Sequence, residues 1–235
     1  MALIYSQVPC VSAGTFTTNV VKAAPVKWDR QIVDSGAGVQ AVVVNSGIAN
    51  ACTGEEGMGY CKETAEAAAK ALNIDAAGVL VGSTGVIGMQ LPMQKLVDGI
   101  QVLAGKKAEG LQSGHDAALA IMTTDTVEKE MAVEIEIGGK TVTIGGMSKG
   151  SGMIHPNMCT MLAFITTDAA ITKEALQKAL SEDVEDTYNM ISVDGDTSTN
   201  DTAILLANGL AGNQEITYAS PEYETFKEAL HMVNE

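Results

Sequence analysis

Runs of consecutive apolar residues predict two buried strands in the first half of the chain. They are QAVVVN at residues 40–45 and GVLVGS at residues 78–83. Continuous β-branched runs of this length are typical of strands that are buried on both faces. The segment between them, GYCKETAEAAAKAL at residues 59–72, is rich in alanine and has a charged face, so it is predicted to form a helix.

A second helix is predicted after Pro92, because proline is favoured in the first turn of a helix. The apolar positions that follow it have helical spacing: Leu96, Val97, Ile100 and Leu103. Residues 132–144 predict a hairpin, because apolar and polar residues alternate there and a Gly-Gly pair supplies a two-residue turn. The hairpin has one solvated face, so the fold combines antiparallel strands with helices.

The second half of the chain predicts further strands and helices. The apolar run at residues 161–165 predicts a strand that begins at Thr160. Thr172 is predicted to cap a helix at residues 173–180, and a second helical segment is predicted at residues 182–191. The segment AILLA at residues 203–207 predicts another strand. Together these elements predict an α+β fold with helices on the outer faces of the sheets.

Composition and charge exclude several classes of function. The 235-residue chain is 46% hydrophobic, which is enough for a substantial core, and its formal net charge is −15. Nucleic acids and anionic membranes are bound through lysine and arginine, so neither is a predicted partner. No apolar run approaches the roughly 18 residues of a membrane span, and no signal peptide is predicted. Four cysteines without a C-x-x-C pair predict reduced thiols and a cytoplasmic location.

Thr160 lies where a glycine-rich loop meets an apolar run, in the segment KGSGMIHPNMCTMLAFITTDA at residues 149–169. A threonine hydroxyl is a weak nucleophile unless a base lies beside it. A threonine at the start of a chain supplies that base itself, because an α-amine has a pKa of about 7.7–8.0. This requires the peptide bond between Cys159 and Thr160 to break, and the glycines permit a strained turn there. The more ordinary interpretation is a threonine that begins a β-strand.

Two other segments are candidates for chemistry. GSTGVIG at residues 82–88 follows a predicted strand, and backbone N–H groups in such a turn can form an oxyanion hole. A phosphate cradle and a plain turn are the alternatives, although the Lys-Ser/Thr ending of a P-loop is absent. SVDGDTSTND at residues 192–201 lacks the glycine and the glutamate that an EF-hand loop requires, so a hydrogen-bonded turn is predicted. The three histidines have no metal-ligand spacing, so no metal site is predicted.

Several long motifs, taken in order, resemble the ornithine acetyltransferases of the cyclic arginine pathway. They are TFTTNVVKAAPV, VNSGIANACTG, GSTGVIG, IMTTDT, KGSGMIHPNMCTMLAFITTDA and SVDGDTSTNDTAILLANG, and they cover nearly the whole chain. The resemblance implies a four-layer αββα sandwich similar to that of N-terminal-nucleophile hydrolases. It also implies self-cleavage between Cys159 and Thr160. Residues 1–159 would then be the α-chain portion, and residues 160–235 the start of the β chain.

The resemblance also implies roles for individual residues. Thr160 is the nucleophile and contacts the substrate, while Thr84 and Gly85 match the pair that forms the oxyanion hole. Lys149 matches a substrate-binding lysine, whose ammonium group suits an amino-acid carboxylate. Thr126, the last residue of the TTDT string, matches a substrate-binding threonine, and the two preceding threonines are the alternative alignments.

The implied reaction is an acyl transfer in two steps, without a metal or an organic cofactor. Thr160 takes an acetyl group from N-acetylornithine, and glutamate then removes it as N-acetylglutamate; some family members also accept acetyl-CoA as the donor. The implied assembly is an α2β2 heterotetramer of cleaved chains. Family members are longer, and their later DGEGA-type motif, which supplies a substrate-binding glutamate, is absent here. The alternatives are therefore an inactive fragment and an N-terminal-nucleophile aminopeptidase on a related fold.

Overall fold

The computed structural model describes residues 1–150, 161–192 and 197–235. The strands among these residues are β1 (Ala2–Phe16), β2 (Val39–Ile48), β3 (Val79–Val86), β4 (Lys129–Ile137), β5 (Lys140–Lys149), β6 (Leu162–Thr167) and β7 (Thr202–Ala207). The α-helices are α1 (Ala24–Ser35), α2 (Glu56–Leu72), α3 (Met93–Lys106), α4 (Leu111–Ile121), α5 (Lys173–Asp186) and α6 (Glu222–Asn234). Within these ranges, no helix has the length and apolar character needed to cross a membrane.

One long strand joins the two halves of the sheet. The strand order is β3-β2-β1-β7-β6-β5-β4, and β1 contributes to both halves in turn. Its first residues pair with β2, as Ala2 does with Val44, whereas its later residues pair with β7, as Val11 does with Ala207. The register is irregular between Tyr5 and Cys10, and the change of partner lies just beyond this point. The β2–β3 and β6–β7 pairs are parallel, and the other pairs are antiparallel.

The two halves of the sheet pack face to face, with helices on their outer sides. Between them lies a core to which β2, β3, β6 and β7 all contribute: Val42, Val44, Leu80, Leu162, Phe164, Ile204 and Leu206. A Cβ atom on Gly82 of β3 would lie 2.9 Å from the ring of Phe164 in β6, so only glycine allows this close approach. Helices α5 and α6 cover β5–β7, and α2 and α3 cover β2 and β3. The result is the four-layer αββα sandwich that was predicted.

Most of the predicted elements are present. The strands at residues 40–45, 78–83 and 203–207, the hairpin and the first two helices are confirmed. Thr172 caps α5, because its hydroxyl accepts a hydrogen bond from the N–H of Ala175. The second helical segment predicted at residues 182–191 is largely helical but is not divided from the first: α5 continues to Asp186, since Leu176, Leu180 and Val184 form one buried face, and a 3₁₀ turn follows. The predicted start of β6 at Thr160 lies outside the described residues.

Packing between the two half-sheets should dominate the stability of this fold. Leu206, which is 3% exposed, contributes to the core between them, whereas Leu111 is 86% exposed. We expect Leu206→Ala to lower the free energy of unfolding by about 2–5 kcal/mol, because it removes buried methyl groups and leaves a cavity. Urea unfolding would measure the change. The matched control Leu111→Ala should stay within about 0.5 kcal/mol of the unsubstituted protein. Equal losses in both variants would contradict this account of the core.

Candidate active site

Three strand ends meet at one edge of the sheet. Lys149 is the last residue of β5, Met161 directly precedes β6, and Asp201 directly precedes β7. The register brings them side by side, because Leu162 pairs with Lys149 on one side and with Thr202 on the other. The predicted nucleophile Thr160 and the predicted cleavage partner Cys159 lie outside the described residues. Met161, the next residue in the chain after Thr160, is described and lies at this edge.

Lys149 is buried and contacts a residue from the opposite half-sheet. Its Nζ donates to Oγ1 of Thr84 at 3.4 Å, and the two residues are 3% and 6% exposed. Burial lowers the pKa of Lys149, and the nearby carboxyl groups of Asp125 and Asp201 oppose that shift. Since the Thr84 hydroxyl accepts from the ammonium group, its own O–H remains able to donate. The pair therefore presents a cation and a hydroxyl donor in a largely dry environment.

Gly85 follows Thr84 in a backbone conformation that suits glycine. Its φ is +130°, and a Cβ atom at this position would collide with the backbone of Gly47 in β2. The segment that the sequence predicted to be a turn belongs largely to β3, which continues through Val86. The predicted oxyanion-hole pair is thus built on a strand of the sandwich, and a rigid element positions polar groups better than a loop does.

Asp201 is a completely buried carboxyl group beside this pair. Its Oδ1 accepts a hydrogen bond from the N–H of Met161 at 3.0 Å, and its Oδ2 has no hydrogen-bond partner among the described residues. Burial raises the pKa of Asp201 to about 9, against the opposing effects of the Met161 hydrogen bond, of nearby Ser198 and of the Lys149 charge. Asp201 is therefore protonated near pH 7, so the site holds a neutral acid and not a second charge.

Asp125 lies on the other side of Lys149, in the segment between α4 and β4. Its buried side chain accepts hydrogen bonds from the N–H of Gly150 and from Lys129 Nζ, both at 2.7 Å. Burial would raise the pKa of Asp125, but the hydrogen bonds from Lys129 and Gly150 together hold it below its ordinary value. Thr126, the predicted substrate-binding threonine, is exposed in this segment, and its side chain is not part of the buried group.

An amide network fixes the backbone around Thr84. Asn200 Nδ2 donates to the carbonyl oxygens of Ala49 and Ser83, at 2.6 and 2.8 Å. The Ser83 hydroxyl donates to Oδ1 of Asn45 at 2.6 Å, which ties β3 to β2 at the same level. Asn200, Asp201 and Asp125 were not predicted to be site residues. The signal was present, because each belongs to a polar string, TSTND or TTDT, that directly precedes a strand or lies close before one.

Comparison with known proteins places the chain in a family. The ArgJ family model matches residues 1–235. The chain belongs to the ArgJ family. Two relatives are the arginine biosynthesis bifunctional proteins ArgJ of Thermotoga neapolitana, 53% identical, and of Symbiobacterium thermophilum, 56% identical. These alignments cover 100% and 99% of this chain, but only 59% and 57% of the relatives, so the chain spans less than three fifths of their length.

Solved structures agree with the ArgJ fold. The arginine biosynthesis bifunctional protein of Bacillus halodurans is 46% identical with a TM-score of 0.62, over 66% of this chain and 80% of that chain. The ornithine acetyltransferase of Mycobacterium tuberculosis, solved with ornithine, is 40% identical with a TM-score of 0.57, over 66% and 81%. An aminopeptidase of Ochrobactrum anthropi, a variant of the Ntn hydrolase fold, is 10% identical with a TM-score of 0.50, over 97% and 72%. At that identity it shows the fold alone.

The raised pKa of Asp201 predicts a pH dependence of stability. An unfolded aspartate has a pKa of about 3.9, whereas Asp201 in the folded chain titrates at about 9. Between these values the folded state keeps a proton that the unfolded state releases, so the free energy of unfolding falls as the pH rises. We expect Asp201→Asn to remove this loss, so that its stability relative to the unsubstituted protein increases from pH 5 to pH 8.5.

Urea unfolding at several pH values would test this expectation. The control is Asp186→Asn, which neutralises an exposed carboxylate at the end of α5 and should run parallel to the unsubstituted protein. A parallel curve for Asp201→Asn would contradict a buried, protonated Asp201.

Proposed function

We propose that the protein transfers an acetyl group from N-acetylornithine to glutamate through an acetyl ester on Thr160. Membership of the ArgJ family and the 40% identity to an ornithine acetyltransferase support this reaction. Self-cleavage between Cys159 and Thr160 precedes it and separates residues 1–159 from a second chain that begins with residues 160–235. The observation that carries the proposal is the buried contact of Lys149 with Thr84, directly beside Met161, the covalent neighbour of Thr160.

Self-cleavage begins when the Thr160 hydroxyl attacks the carbonyl carbon of Cys159. The C–N bond breaks, the α-amine of Thr160 takes up the proton, and water then hydrolyses the resulting ester. The free α-amine becomes the base for acyl transfer, because its pKa near 7.7–8.0 leaves part of it neutral at pH 7. It accepts the hydroxyl proton as Thr160 attacks the acetyl carbonyl, and it returns that proton to the departing ornithine amine.

Negative charge develops on the acetyl oxygen in each tetrahedral intermediate. The O–H of Thr84 and the backbone N–H of Gly85 are the donors that we assign to this oxygen. Burial makes the Thr84 hydroxyl a more effective donor, and the position of Gly85 in β3 fixes its N–H before the reaction. Lys149 keeps the Thr84 oxygen as an acceptor and so leaves its proton free to donate to the oxyanion. Collapse of the second intermediate, formed by the glutamate amine, releases N-acetylglutamate.

Lys149 also provides positive charge for substrate binding. Both N-acetylornithine and glutamate carry an α-carboxylate, and a formal net charge of −15 makes a local cation necessary to hold it. Thr126 is assigned as a substrate-binding residue on the resemblance alone, and its exposure leaves the side chain accessible.

The lengths of the related chains support division of the polypeptide. The alignment with the Bacillus halodurans structure covers 66% of this chain and 80% of that chain, which means that the Bacillus halodurans chain is the shorter one. The curated relatives, by contrast, are longer than this chain. A precursor that matures into two chains accounts for both facts. The α2β2 assembly, the use of acetyl-CoA and the cytoplasmic location stay predictions.

The alternative function, that of an aminopeptidase, is not favoured. Its support is the fold of the Ochrobactrum anthropi enzyme at 10% identity, whereas the ArgJ protein of Thermotoga neapolitana is 53% identical. Turnover of N-acetylornithine compared with that of a peptide amide would distinguish the two activities.

Replacing Thr160 by alanine should abolish self-cleavage. In the full-length polypeptide, we expect Thr160→Ala to stay intact and to lose acetyl transfer, because the attacking hydroxyl is gone. Intact mass spectrometry would measure cleavage, and the unsubstituted protein should give a second chain that begins TMLAFITT. The matched control Cys159→Ala should still be cleaved, since it changes only the side chain before the cut. Cleavage of Thr160→Ala at this bond would identify a separate protease and exclude Thr160 as the nucleophile.

Replacing Lys149 by methionine should weaken the binding of both substrates. The loss of a charge-assisted hydrogen bond costs about 1.5–3 kcal/mol, so KM should rise roughly 10- to 150-fold for N-acetylornithine and for glutamate. Steady-state kinetics on the matured protein, with each substrate varied in turn, would measure the change. Lys140→Met, at the exposed first residue of β5, should leave both values unchanged. An unchanged KM for Lys149→Met would remove Lys149 from the substrate site.

A further inference from the structure

The residues 201 and 202 hold both backbone polar groups of Met161. The Asp201 carboxyl accepts from the Met161 N–H at 3.0 Å, and the Thr202 N–H donates to the Met161 carbonyl at 3.0 Å. Asp201 is itself fixed, because its carbonyl accepts from the N–H of Thr17 at the end of β1, at 2.9 Å. Met161 is thus held at two points by a segment that is anchored to the central strand of the sheet.

We propose that Asp201 is a positioning residue for the reaction at Thr160: its carboxyl group holds the Met161 amide and thereby fixes the nucleophile relative to Thr84 and Lys149. This inference rests on the proposed function. Consecutive Cα atoms are about 3.8 Å apart, so fixing the Met161 N–H restricts the residue bonded to that nitrogen. The contact lies downstream of the proposed cut and is therefore available in both the precursor and the matured protein.

A side chain and a backbone carbonyl would have different effects as the hydrogen-bond partner of the Met161 N–H. A backbone partner for the Met161 N–H would extend the β-ladder past the end of β6, whereas a carboxyl oxygen satisfies the group and lets the ladder end there. The protonated acid accepts through its carbonyl oxygen without adding a negative charge next to Lys149. An asparagine would keep that acceptor and the neutral charge, but a leucine, which has a similar branched shape, would keep no hydrogen-bond acceptor.

The chain contains a matched control for this arrangement. Asp29 of α1 is 1% exposed, its Oδ1 accepts from the N–H of Val81 at 2.8 Å, and its Oδ2 has no partner among the described residues. The bond therefore has the same chemistry as that of Asp201, but it joins helix α1 to β3, the end strand of the sheet. Replacing Asp29 reports the cost of losing such a bond in general, without touching Met161.

The test compares Asp201→Asn, Asp201→Leu and Asp29→Leu in the full-length polypeptide. We expect Asp201→Leu to slow self-cleavage at least about tenfold and to lower kcat per cleaved molecule about 10- to 100-fold, since misplacement by about 1 Å can cost about 10²-fold. KM should change less than about twofold, because Lys149 is retained. Asp201→Asn should restore both rates to within about threefold, and Asp29→Leu should lower the thermal midpoint while leaving kcat unchanged.

Three results would overturn the positioning role. They are normal cleavage and kcat in Asp201→Leu, a loss in Asp201→Asn as large as in Asp201→Leu, and an equal loss of kcat in Asp29→Leu. Thr160→Ala, assayed in parallel, separates this inference from the proposed function. Cleavage and turnover in Thr160→Ala would refute the function itself, whereas an inactive Thr160→Ala beside a fully active Asp201→Leu would refute only the role of Asp201.

Discussion

The close approach of the two half-sheets is the constraint on which the candidate site depends. Gly82 allows the ring of Phe164 to reach β3, and residues that alternate along a strand share one face. Thr84 therefore points to the same inner side as Gly82, and Lys149 to the same inner side as Met147, which packs into the core between the sheets. Two strands that are far apart in the strand order, β3 and β5, thus bring a hydroxyl and an ammonium group into contact.

Burial then determines the charge state of the groups around Lys149. Removing an ammonium group from water is costly, so a buried lysine needs acceptors and compensating charge. Asp125 supplies the charge, because Lys129 and the N–H of Gly150 hold it in the ionised form. Asp201 does not, because its deeper burial keeps it protonated. The site therefore contains a charged Asp125 and a neutral Asp201, and the difference in their charge state comes from their environments.

Elements that depend on neighbouring residues were predicted from the sequence, whereas features that depend on distant residues were not. Strands β2 and β3, the β4–β5 hairpin and the Thr172 cap follow from neighbouring residues, and all were predicted. Strand β1 was missed, since ALIYSQVPCVSAGTF changes partner part-way along and keeps no single period. Pattern alone would have placed Lys149 on the surface, and only the family resemblance identified it. Asp201 was not predicted although it ends the polar string TSTND, because its hydrogen bond is with Met161, 40 residues earlier in the chain.

The two aspartic acids accept hydrogen bonds from the backbone on opposite sides of the proposed cut. Asp125 binds the backbone N–H of Gly150, on the upstream side, and Asp201 binds that of Met161, on the downstream side. Breaking the Cys159–Thr160 bond leaves both contacts in place, since neither involves the bond itself. Lys149 belongs to β5 and Met161 directly precedes β6, and these two strands are paired in one sheet. In the proposed mechanism the sheet, and not the continuity of the chain, would keep Lys149 beside Met161 after the cut.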